Sequence, residues 1–385
     1  MKQPSSLTPH RKEVTIRLTR ESSVLQASKE SGAVRRQGTR NHAFDLLRIL
    51  FATLVLLSHA PELTDGNPSR ELLHRLTHTP ITFGRLGVDG FFVLSGYLIV
   101  QSWLGDPELV NFLRKRVLRI FPGYLVAVTL STIAVGLLAP GVTDFFTHVD
   151  MHFVKSVALL SNPATPPVFP GQAYPNVNGA LYTIGYEFRC YLLVAILGLC
   201  GLLRRPVLCL AATLPLLAAL VYTAPFEHIH WPRHVEALAG EPGNAFRLTA
   251  IYMVGALFYL FRNRVVFRPP FALTAAAVLI GFFVFAPAIA EFALVVCGGY
   301  LMFYLGQMRL PWLSWMSRFP DISYGIYLYG WPVESLWIWF HRGSPWLAFF
   351  ASTIICSVLG WLSWHFVERP ALALKRRPTA PLPAA

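Results

Sequence analysis

The stretch from Phe44 to Ala60 reads FDLLRILFATLVLLSHA, and it decides the fold. Most of its side chains are apolar, and its length approaches the ~20 residues that cross the hydrocarbon core of a bilayer. Comparable stretches recur along the chain, so we predict an all-α, polytopic membrane protein with about ten transmembrane helices. The predicted spans are 44–60, 87–104, 120–139, 177–202, 206–224, 246–261, 271–290, 291–307, 322–340 and 345–366.

The composition agrees with a membrane protein. Of the 385 residues, 54% are hydrophobic and only 14% are charged, whereas about a quarter of the residues of a soluble domain are charged. The five cysteines all fall in apolar stretches, and we interpret them as small hydrophobic residues. No spacing typical of metal ligands is present, so we expect no metal site and no bound cofactor.

Lysine and arginine residues set the predicted orientation. If the N-terminus lies in the cytoplasm, 24 of the 33 Lys and Arg residues fall in cytoplasmic segments and seven fall in external loops. The positive-inside rule then places both termini in the cytoplasm. The net charge of +13 follows from this topology and from anionic lipid, so we expect no nucleic-acid partner. We predict a disordered basic tail at 1–42, a transmembrane domain at 43–370 and a cytoplasmic tail at 371–385.

The first span contains three side chains that are expensive to bury in lipid: Asp45, Arg48 and His59. Arg48 and His59 lie eleven residues apart, which places them on one helix face at a distance of ~16 Å along the axis. Asp45 precedes Arg48 by three residues and can pair with it. A structural interpretation stays open for both: Arg48 could extend to the lipid headgroups, and His59 could simply end the helix.

A polar stripe marks the fourth span. Thr183, Glu187 and Tyr191 are spaced four residues apart, so they share a face that must point into the protein rather than into lipid. Tyr186 lies beside this stripe. The alternative is an internal, structural Glu–Arg ion pair between helices, which competes more strongly for Arg189 than for Glu187.

Basic residues cluster before the third span, in the segment FLRKRVLRIFPGY. Ordinary positive-inside flanking explains Arg114 and Lys115. Arg116 and Arg119 share one helix face, and two guanidinium groups at the membrane boundary could bind phosphates.

Aromatic side chains share one face of the ninth span. They are Tyr324, Tyr327 and Trp331, which could pack in the core or line a channel for a sugar or an acyl group.

Five segments, in this order, carry a resemblance to a known family. They are FDLLRILFATLVLLSHA, LGVDGFFVLSGYLI, RVLRIFPGY, NGALYTIGYEFRCYLL and the pair SYGIYLYGWPVE with FVERP. The set resembles the acyltransferase 3 family of integral membrane O-acyltransferases, which includes enzymes that O-acetylate surface polysaccharide and lipopolysaccharide. The resemblance extends from about residue 43 to residue 370 and makes 43–370 an acyltransferase domain.

The resemblance implies a function for the charged residues described above. It implies transfer of an acyl group, acetyl in the first instance, from cytoplasmic acyl-coenzyme A to a hydroxyl of an extracytoplasmic carbohydrate or glycolipid. It implies a multi-pass protein of the bacterial cytoplasmic (inner) membrane, with the bilayer, acyl-CoA and a glycan as partners. The implied residues are His59, Glu187, Arg48 and Asp45 for catalysis; Arg116, Arg119 and Arg48 for donor binding; Ser95 and Gly96 for an oxyanion or packing role; and Tyr186, Tyr324, Tyr327 and Trp331 for the acceptor or channel.

Two questions stay open from the sequence. Intramembrane charges would also suit a transporter or flippase for a lipid-linked glycan, although no internal repeat typical of transporters is present. A donor bound at the cytoplasmic side is also separated from His59 by much of the bilayer. Either the pantetheine arm of coenzyme A threads part of that distance or the acyl group is relayed through a covalent intermediate, with Ser95 as one possible nucleophile.

Overall fold

The structure is a computed structural model that describes residues 41–67, 70–163, 165–221, 231–308, 311–341 and 343–375. Within these residues the regular secondary structure is helical, with no strand and one isolated bridge between Pro140 and Val168. The all-α prediction is therefore confirmed. The predicted tail at 1–42 lies almost entirely outside the described residues, as does most of the predicted tail at 371–385.

The α-helices are numbered here in chain order. They are α1 (His42–Asp65), α2 (Leu72–Thr77), α3 (Phe83–Gly105), α4 (Leu109–Leu138), α5 (Met151–Ala158), α6 (Tyr182–Leu199), α7 (Pro206–Val221), α8 (Arg233–Ala239), α9 (Pro242–Leu260), α10 (Pro269–Phe285), α11 (Ala290–Ala293), α12 (Gly299–Gln307), α13 (Ser323–Phe340), α14 (Pro345–Ser363) and α15 (Arg369–Ala373). Two π-helical segments, Leu294–Gly298 and Trp364–Glu368, join α11 to α12 and α14 to α15. A 3-10 turn at Pro287–Ile289 separates α10 from α11, close to the break that the sequence predicts between its seventh and eighth spans.

Six helical stretches are long and apolar enough to cross a membrane. They are His42–Asp65, Phe83–Gly105, Leu109–Leu138, Tyr182–Leu199, Pro287–Gln307 and Pro345–Ala373. Two shorter apolar helices, Pro206–Ala218 and Pro269–Phe285, lie at two further predicted spans. The structure thus has several membrane-type helices, whereas the count of about ten spans and the orientation of the termini stay predictions.

The outward faces of these helices are apolar. On α10, Leu273, Ile280, Val284 and Phe285 are each at least 63% exposed. A contiguous apolar surface of this kind is not normally left in water by a monomeric soluble protein. It is the surface expected of a helix that faces lipid.

Small residues bring α3 and α9 into close contact. Gly96 lies against the backbone carbonyl of Tyr252, and Gly255 lies against that of Val93, so a Cβ at either glycine would overlap the facing helix. Small residues allow membrane helices to approach in this way. The packing role that was one of two alternatives for Gly96 agrees with this contact.

Helix α13 lies near the centre of the described bundle, with most of its residues buried. It packs on α14, where Gly325 approaches the backbone of Gly360, and on α1, where Gly330 approaches Leu56. Its buried side chains therefore face other helices rather than lipid. Helices α1, α3, α6 and α13 together surround the cavities described next.

Candidate active site

The first cavity has a volume of about 250 Å³ and lies between α1, α3, α4, α6 and α13, near the first turns of α1 and α4. We call it the arginine cavity. Its charged and polar lining residues are Arg48, Arg116, Arg119, Lys375, Glu187, Ser95, Thr183, Tyr191, Ser323, Tyr324 and Tyr327. The fold thus brings the three predicted arginines and Glu187 to one place. As the four-residue spacing predicts, the stripe on α6 faces into the protein.

Two of the three arginines are held by buried acids. The Arg119 guanidinium lies 3.1 Å from Asp321 and 3.3 Å from Glu368, and Arg48 lies 3.4 Å from the same Asp321 carboxylate. Burial opposes ionisation of Asp321, but Arg119 and Arg48 outweigh burial and lower the pKa of its carboxyl to about 2. Arg48 and Arg119 are therefore fixed in position by negative charge that the protein itself provides.

Arg116 is held differently. One of its terminal nitrogens donates to the Ser102 hydroxyl at 2.7 Å, and its guanidinium lies over the rings of Phe112 and Tyr191 at 5.3 Å and 5.8 Å. Its buried Nε has no hydrogen-bond partner, and no salt bridge to it occurs within the described residues. Arg48 and Arg119 each have an acidic partner, whereas Arg116 has none within the described residues and can pair with an anionic ligand.

Lys375 adds a further cation to the arginine cavity. The Arg114 guanidinium donates to the carbonyl of Leu374, which holds this part of the chain beside α4. Burial and the neighbouring charges of Arg119 and Arg116 lower the pKa of Lys375 to about 7. The pKa of Lys375 is low because its ammonium group is partly buried beside positive charges and no anion of the described residues compensates for them.

Glu187 belongs to the arginine cavity rather than to His59. Its carboxylate accepts hydrogen bonds from the hydroxyls of Ser95, at 2.9 Å, and Tyr191, at 2.6 Å. Arg189 does not pair with it: the Arg189 Nε donates to the carbonyl of Leu238 at 2.6 Å. Within the described residues neither Glu187 nor Arg189 forms a salt bridge, so the interhelical Glu–Arg pair considered from the sequence is not formed.

Three predicted residues, Gly96, Asp45 and Tyr186, line neither the arginine cavity nor the cavity around His59, and Gly96 instead packs against α9. Asp45 lies 3.8 Å from the imidazole of His42, and the salt bridge of Arg48 goes to Asp321 instead. Asp321, which is distant in the sequence, is thus the salt-bridge partner of Arg48 in place of the predicted Asp45. The Tyr186 hydroxyl accepts a hydrogen bond from the Glu241 backbone N–H at 2.8 Å, so it supports a loop.

The second cavity has a volume of about 540 Å³ and lies between the C-terminal half of α1 and the N-terminal ends of α3, α6 and α9. We call it the histidine cavity. Its polar lining residues are Ser58, His59, Glu62, Thr82, Arg85, Asn162, Tyr174, Asn176, Tyr182, Thr183, Asn244, Arg247, Tyr327 and Trp331. Four charges near its wall balance one another, because Arg85 and Arg247 both bind Glu291, at 3.0 Å and 2.6 Å, and Arg247 also binds Asp89.

His59 lies against two residues of α13. The His59 ring meets Trp331 edge to face with 4.9 Å between ring centroids, and its Nδ1 lies 3.8 Å from a carboxylate oxygen of Glu334. The Glu334 side chain is 0% exposed, and neither its carboxylate oxygens nor His59 Nδ1 has a hydrogen-bond partner within the described residues. A small rotation of the imidazole would join them. An imidazole oriented by a buried carboxylate at one nitrogen can take a proton at the other.

The two cavities share a wall one side chain thick. Val88, Thr183 and Tyr327 line both cavities. The hydroxyls of Thr183 and Tyr327 are hydrogen-bonded to each other, and Tyr327 also donates to the Ala180 carbonyl at 3.0 Å. We call these three residues the shared wall.

The aromatic face of α13 passes both cavities. Tyr324 lines the arginine cavity, with its ring 5.5 Å from the Arg119 guanidinium, while Trp331 lines the histidine cavity and Tyr327 lies between them. The face of α1 does the same with Arg48 and His59. Helices α1 and α13 therefore each place one side chain at the arginine cavity and another at the histidine cavity.

Residues 41–365 match the acyltransferase domain that defines the acyltransferase 3 family. The chain belongs to the acyltransferase 3 family. It is 26% identical to Nodulation protein 10 of Rhizobium leguminosarum bv. viciae over 362 residues, 88% of this chain and 95% of that protein. It is 28% identical to the O-acetyl transferase of Shigella phage Sf6 over 163 residues, 41% of this chain and 46% of that protein. No solved structure matches the chain.

Membership in the acyltransferase 3 family confirms the resemblance and makes the protein a membrane acyltransferase. It also favours an enzyme over the transporter considered from the sequence. Two carboxylates that contact lining residues of the cavities, Glu334 beside His59 and Glu368 beside Arg119, were not predicted as site residues. Both are carboxylates within apolar helical segments, the same signal that drew attention to Glu187. Lys375 carried no such signal, because a lysine in a basic terminal segment is unremarkable.

Proposed function

We propose that this acyltransferase 3 protein transfers an acetyl group from acetyl-CoA, bound in the arginine cavity, to a hydroxyl of a carbohydrate bound in the histidine cavity. The observation that carries the proposal is the shared wall of Val88, Thr183 and Tyr327. It reduces the separation between a cationic site and a candidate general base to a single layer of side chains. The O-acetyl transferase name of the phage relative supports acetyl as the group and oxygen as the acceptor atom.

The arginine cavity suits the phosphate groups of the donor. Arg116 has unused guanidinium donors and Lys375 lies in the same cavity, so both can bind phosphate oxygens. Arg48 and Arg119 add charge but are fixed by Asp321. The long pantetheine arm would then point along α1 and α13 toward the shared wall. This cavity lies near the basic beginning of α4, which supports a cytoplasmic position for the donor.

The reaction would proceed by direct attack. A sugar hydroxyl in the histidine cavity gives its proton to His59 Nε2, and its oxygen bonds to the thioester carbonyl carbon. The hydroxyls of Thr183 and Tyr327 lie where the carbonyl must be placed and could donate to the oxyanion. The carbon–sulfur bond then breaks, and the proton on His59 passes to the departing thiolate. The products are the acetylated sugar and free coenzyme A. Glu334 positions His59 and stabilises the imidazolium.

The protein is proposed to work in a bacterial cytoplasmic membrane, with its termini in the cytoplasm and the histidine cavity open to the outside. The distribution of Lys and Arg supports the orientation. The Rhizobium relative, which matches over 95% of its length, supports a bacterial setting. The acceptor would be a surface glycan or a lipid-linked precursor of one.

Mass spectrometry of surface glycans tests the proposal. Cells that express the wild-type protein should carry acetylated glycan, and cells that express His59→Ala should not, although the variant inserts normally. The matched control is His341→Ala, because His341 lies exposed at the end of α13, where it stacks on Trp337. Normal acetylation by His59→Ala would exclude His59 as the base, and unmodified glycan in wild-type cells would count against the acetyl group or the acceptor class.

A further inference from the structure

A third cavity, of about 230 Å³, lies between α4 and the chain that precedes α6. We call it the polar cavity. Its lining residues are Val128, Ser131, Thr132, Asn162, Pro163, Thr165, Asn176, Val177, Asn178 and Leu181. Six of these ten side chains can form hydrogen bonds, and none of the ten is charged. The arginine cavity, with its four cations, and the histidine cavity, with Arg85 and Arg247, differ from it in this respect.

The polar cavity adjoins the histidine cavity. Asn162 and Asn176 line both, just as the shared wall lines the histidine cavity and the arginine cavity. A ligand that occupies the histidine cavity could therefore extend past these two amides into the polar cavity. The polar cavity has no lining residue in common with the arginine cavity, so the extension would not compete with the donor.

Three of the six polar side chains of this cavity, Ser131, Thr132 and Asn178, are buried. Ser131 and Thr132 are 4% and 6% exposed, and their hydroxyls make no hydrogen bond within the described part of the chain. Asn178 is held rigidly, because its amide donates to the Leu328 carbonyl at 2.9 Å and accepts from the Ala180 N–H at 3.2 Å. Buried polar groups are normally hydrogen-bonded, so hydroxyls without a protein partner at the wall of a cavity are free to bind the polar groups of whatever occupies it.

The chemistry of the lining defines the class of ligand. Hydroxyl and amide side chains can donate and accept, which matches the hydroxyls of a sugar. Val128, Val177 and Leu181 offer apolar surface to the C–H groups of a sugar ring. No lysine or arginine is present to pair with a carboxylate or phosphate, and burying an unpaired charge here would be costly.

We propose that the polar cavity is a second carbohydrate subsite, which binds an uncharged sugar residue next to the one that is acetylated. This inference rests on the proposed function, since it takes the histidine cavity as the place of acetylation. It makes the acceptor at least a disaccharide, and it makes recognition of the neighbouring sugar a matter of hydrogen bonds and shape rather than charge.

Fragments of the host's own surface polysaccharide test the subsite. Purified wild-type protein in proteoliposomes is given acetyl-CoA with neutral monosaccharide or disaccharide fragments prepared by partial hydrolysis, and kcat/KM is measured for each. Because the second sugar can form additional hydrogen bonds in the polar cavity, the kcat/KM of the disaccharide should exceed that of the monosaccharide by about tenfold or more. The double variant Ser131→Ala/Thr132→Val should lose that advantage and keep the wild-type rate with the monosaccharide.

Two further variants keep the result interpretable. Thr129→Val alters an exposed residue of the same helix and should retain the disaccharide advantage. Thr165→Val removes a hydroxyl from the loop side of the polar cavity and should reduce it even if the double variant folds poorly. Retention of the full advantage by well-folded Ser131→Ala/Thr132→Val and Thr165→Val would overturn the subsite, as would a preference for disaccharides with a charged neighbouring sugar. Failure of the wild-type protein to acetylate any fragment would instead count against the proposed function.

Discussion

Replacement of Glu334 by glutamine isolates the contribution of the buried carboxylate beside His59. Glutamine has nearly the same shape, so the contact with α1 is kept while the negative charge is lost. In the proposed reaction His59 takes a proton from the acceptor, and the resulting imidazolium would lie 3.8 Å from the carboxylate. Two unit charges ~4 Å apart attract each other by about 4 kcal/mol at an effective dielectric constant of ~20. Since ~1.4 kcal/mol corresponds to a factor of ten in rate, kcat should fall about 10³-fold.

Steady-state kinetics of acetyl transfer in proteoliposomes measure this effect. The KM for acetyl-CoA should stay at the wild-type value, because Glu334 does not line the arginine cavity. A residue with a purely structural role would instead lower the amount of active enzyme and leave the kcat per folded molecule unchanged. Titration of active enzyme therefore accompanies the kinetics.

Glu187→Gln is the comparison variant, since Glu187 is the carboxylate that the sequence favours. It binds Ser95 and Tyr191 on the far side of the shared wall from His59, so its loss should alter the arginine cavity and raise the KM for acetyl-CoA. If Glu334→Gln keeps kcat within about threefold of wild type while Glu187→Gln abolishes it, the assignment of Glu334 as the positioning residue is refuted.

The remaining predictions concern the donor and the packing. Arg116→Ala should raise the KM for acetyl-CoA by about tenfold, as expected for the loss of a charge-assisted hydrogen bond. Arg119→Ala should chiefly reduce the yield of folded protein, because it removes the cation beside the buried Glu368 carboxylate. As the pH rises through about 7, Lys375 loses its proton, so the KM for acetyl-CoA should rise several-fold, and Lys375→Met should remove that dependence. Gly96→Val should destabilise the protein by at least ~1–3 kcal/mol through overpacking, measured by thermal unfolding in detergent, while Gly105→Val, which meets nothing within 4 Å, should not.

The helical periodicity of the sequence correctly predicted which side chains share a face of a single helix. The spacing of Thr183, Glu187 and Tyr191 predicts a face that points inward, and all three line the arginine cavity. The spacing of Arg48 and His59 on α1 likewise places them on a face that serves two cavities. Such predictions succeed because the rise and pitch of a helix fix the relative positions of neighbouring side chains.

Partners from distant parts of the chain could not be predicted in this way. The local rule pairs Arg48 with Asp45, yet the structure pairs it with Asp321, which also binds Arg119. Glu334 meets His59 only because α13 packs on α1. Apolar helices that all face the same core carry little information about which of them are neighbours, so a single sequence cannot specify these pairs.

The shared wall bears on how the acetyl group reaches the acceptor. A relay would first transfer it to Ser95, whose hydroxyl already donates to the Glu187 carboxylate at 2.9 Å. Ser95 lines the arginine cavity but not the histidine cavity, so an acetyl group esterified there would still have to pass Val88, Thr183 and Tyr327. The relay adds a chemical step without removing that crossing. Direct attack needs only that the thioester reach the wall and that the Thr183 and Tyr327 hydroxyls exchange their mutual hydrogen bond for bonds to its carbonyl oxygen. The geometry therefore favours direct transfer, with the wall as the place where donor and acceptor meet.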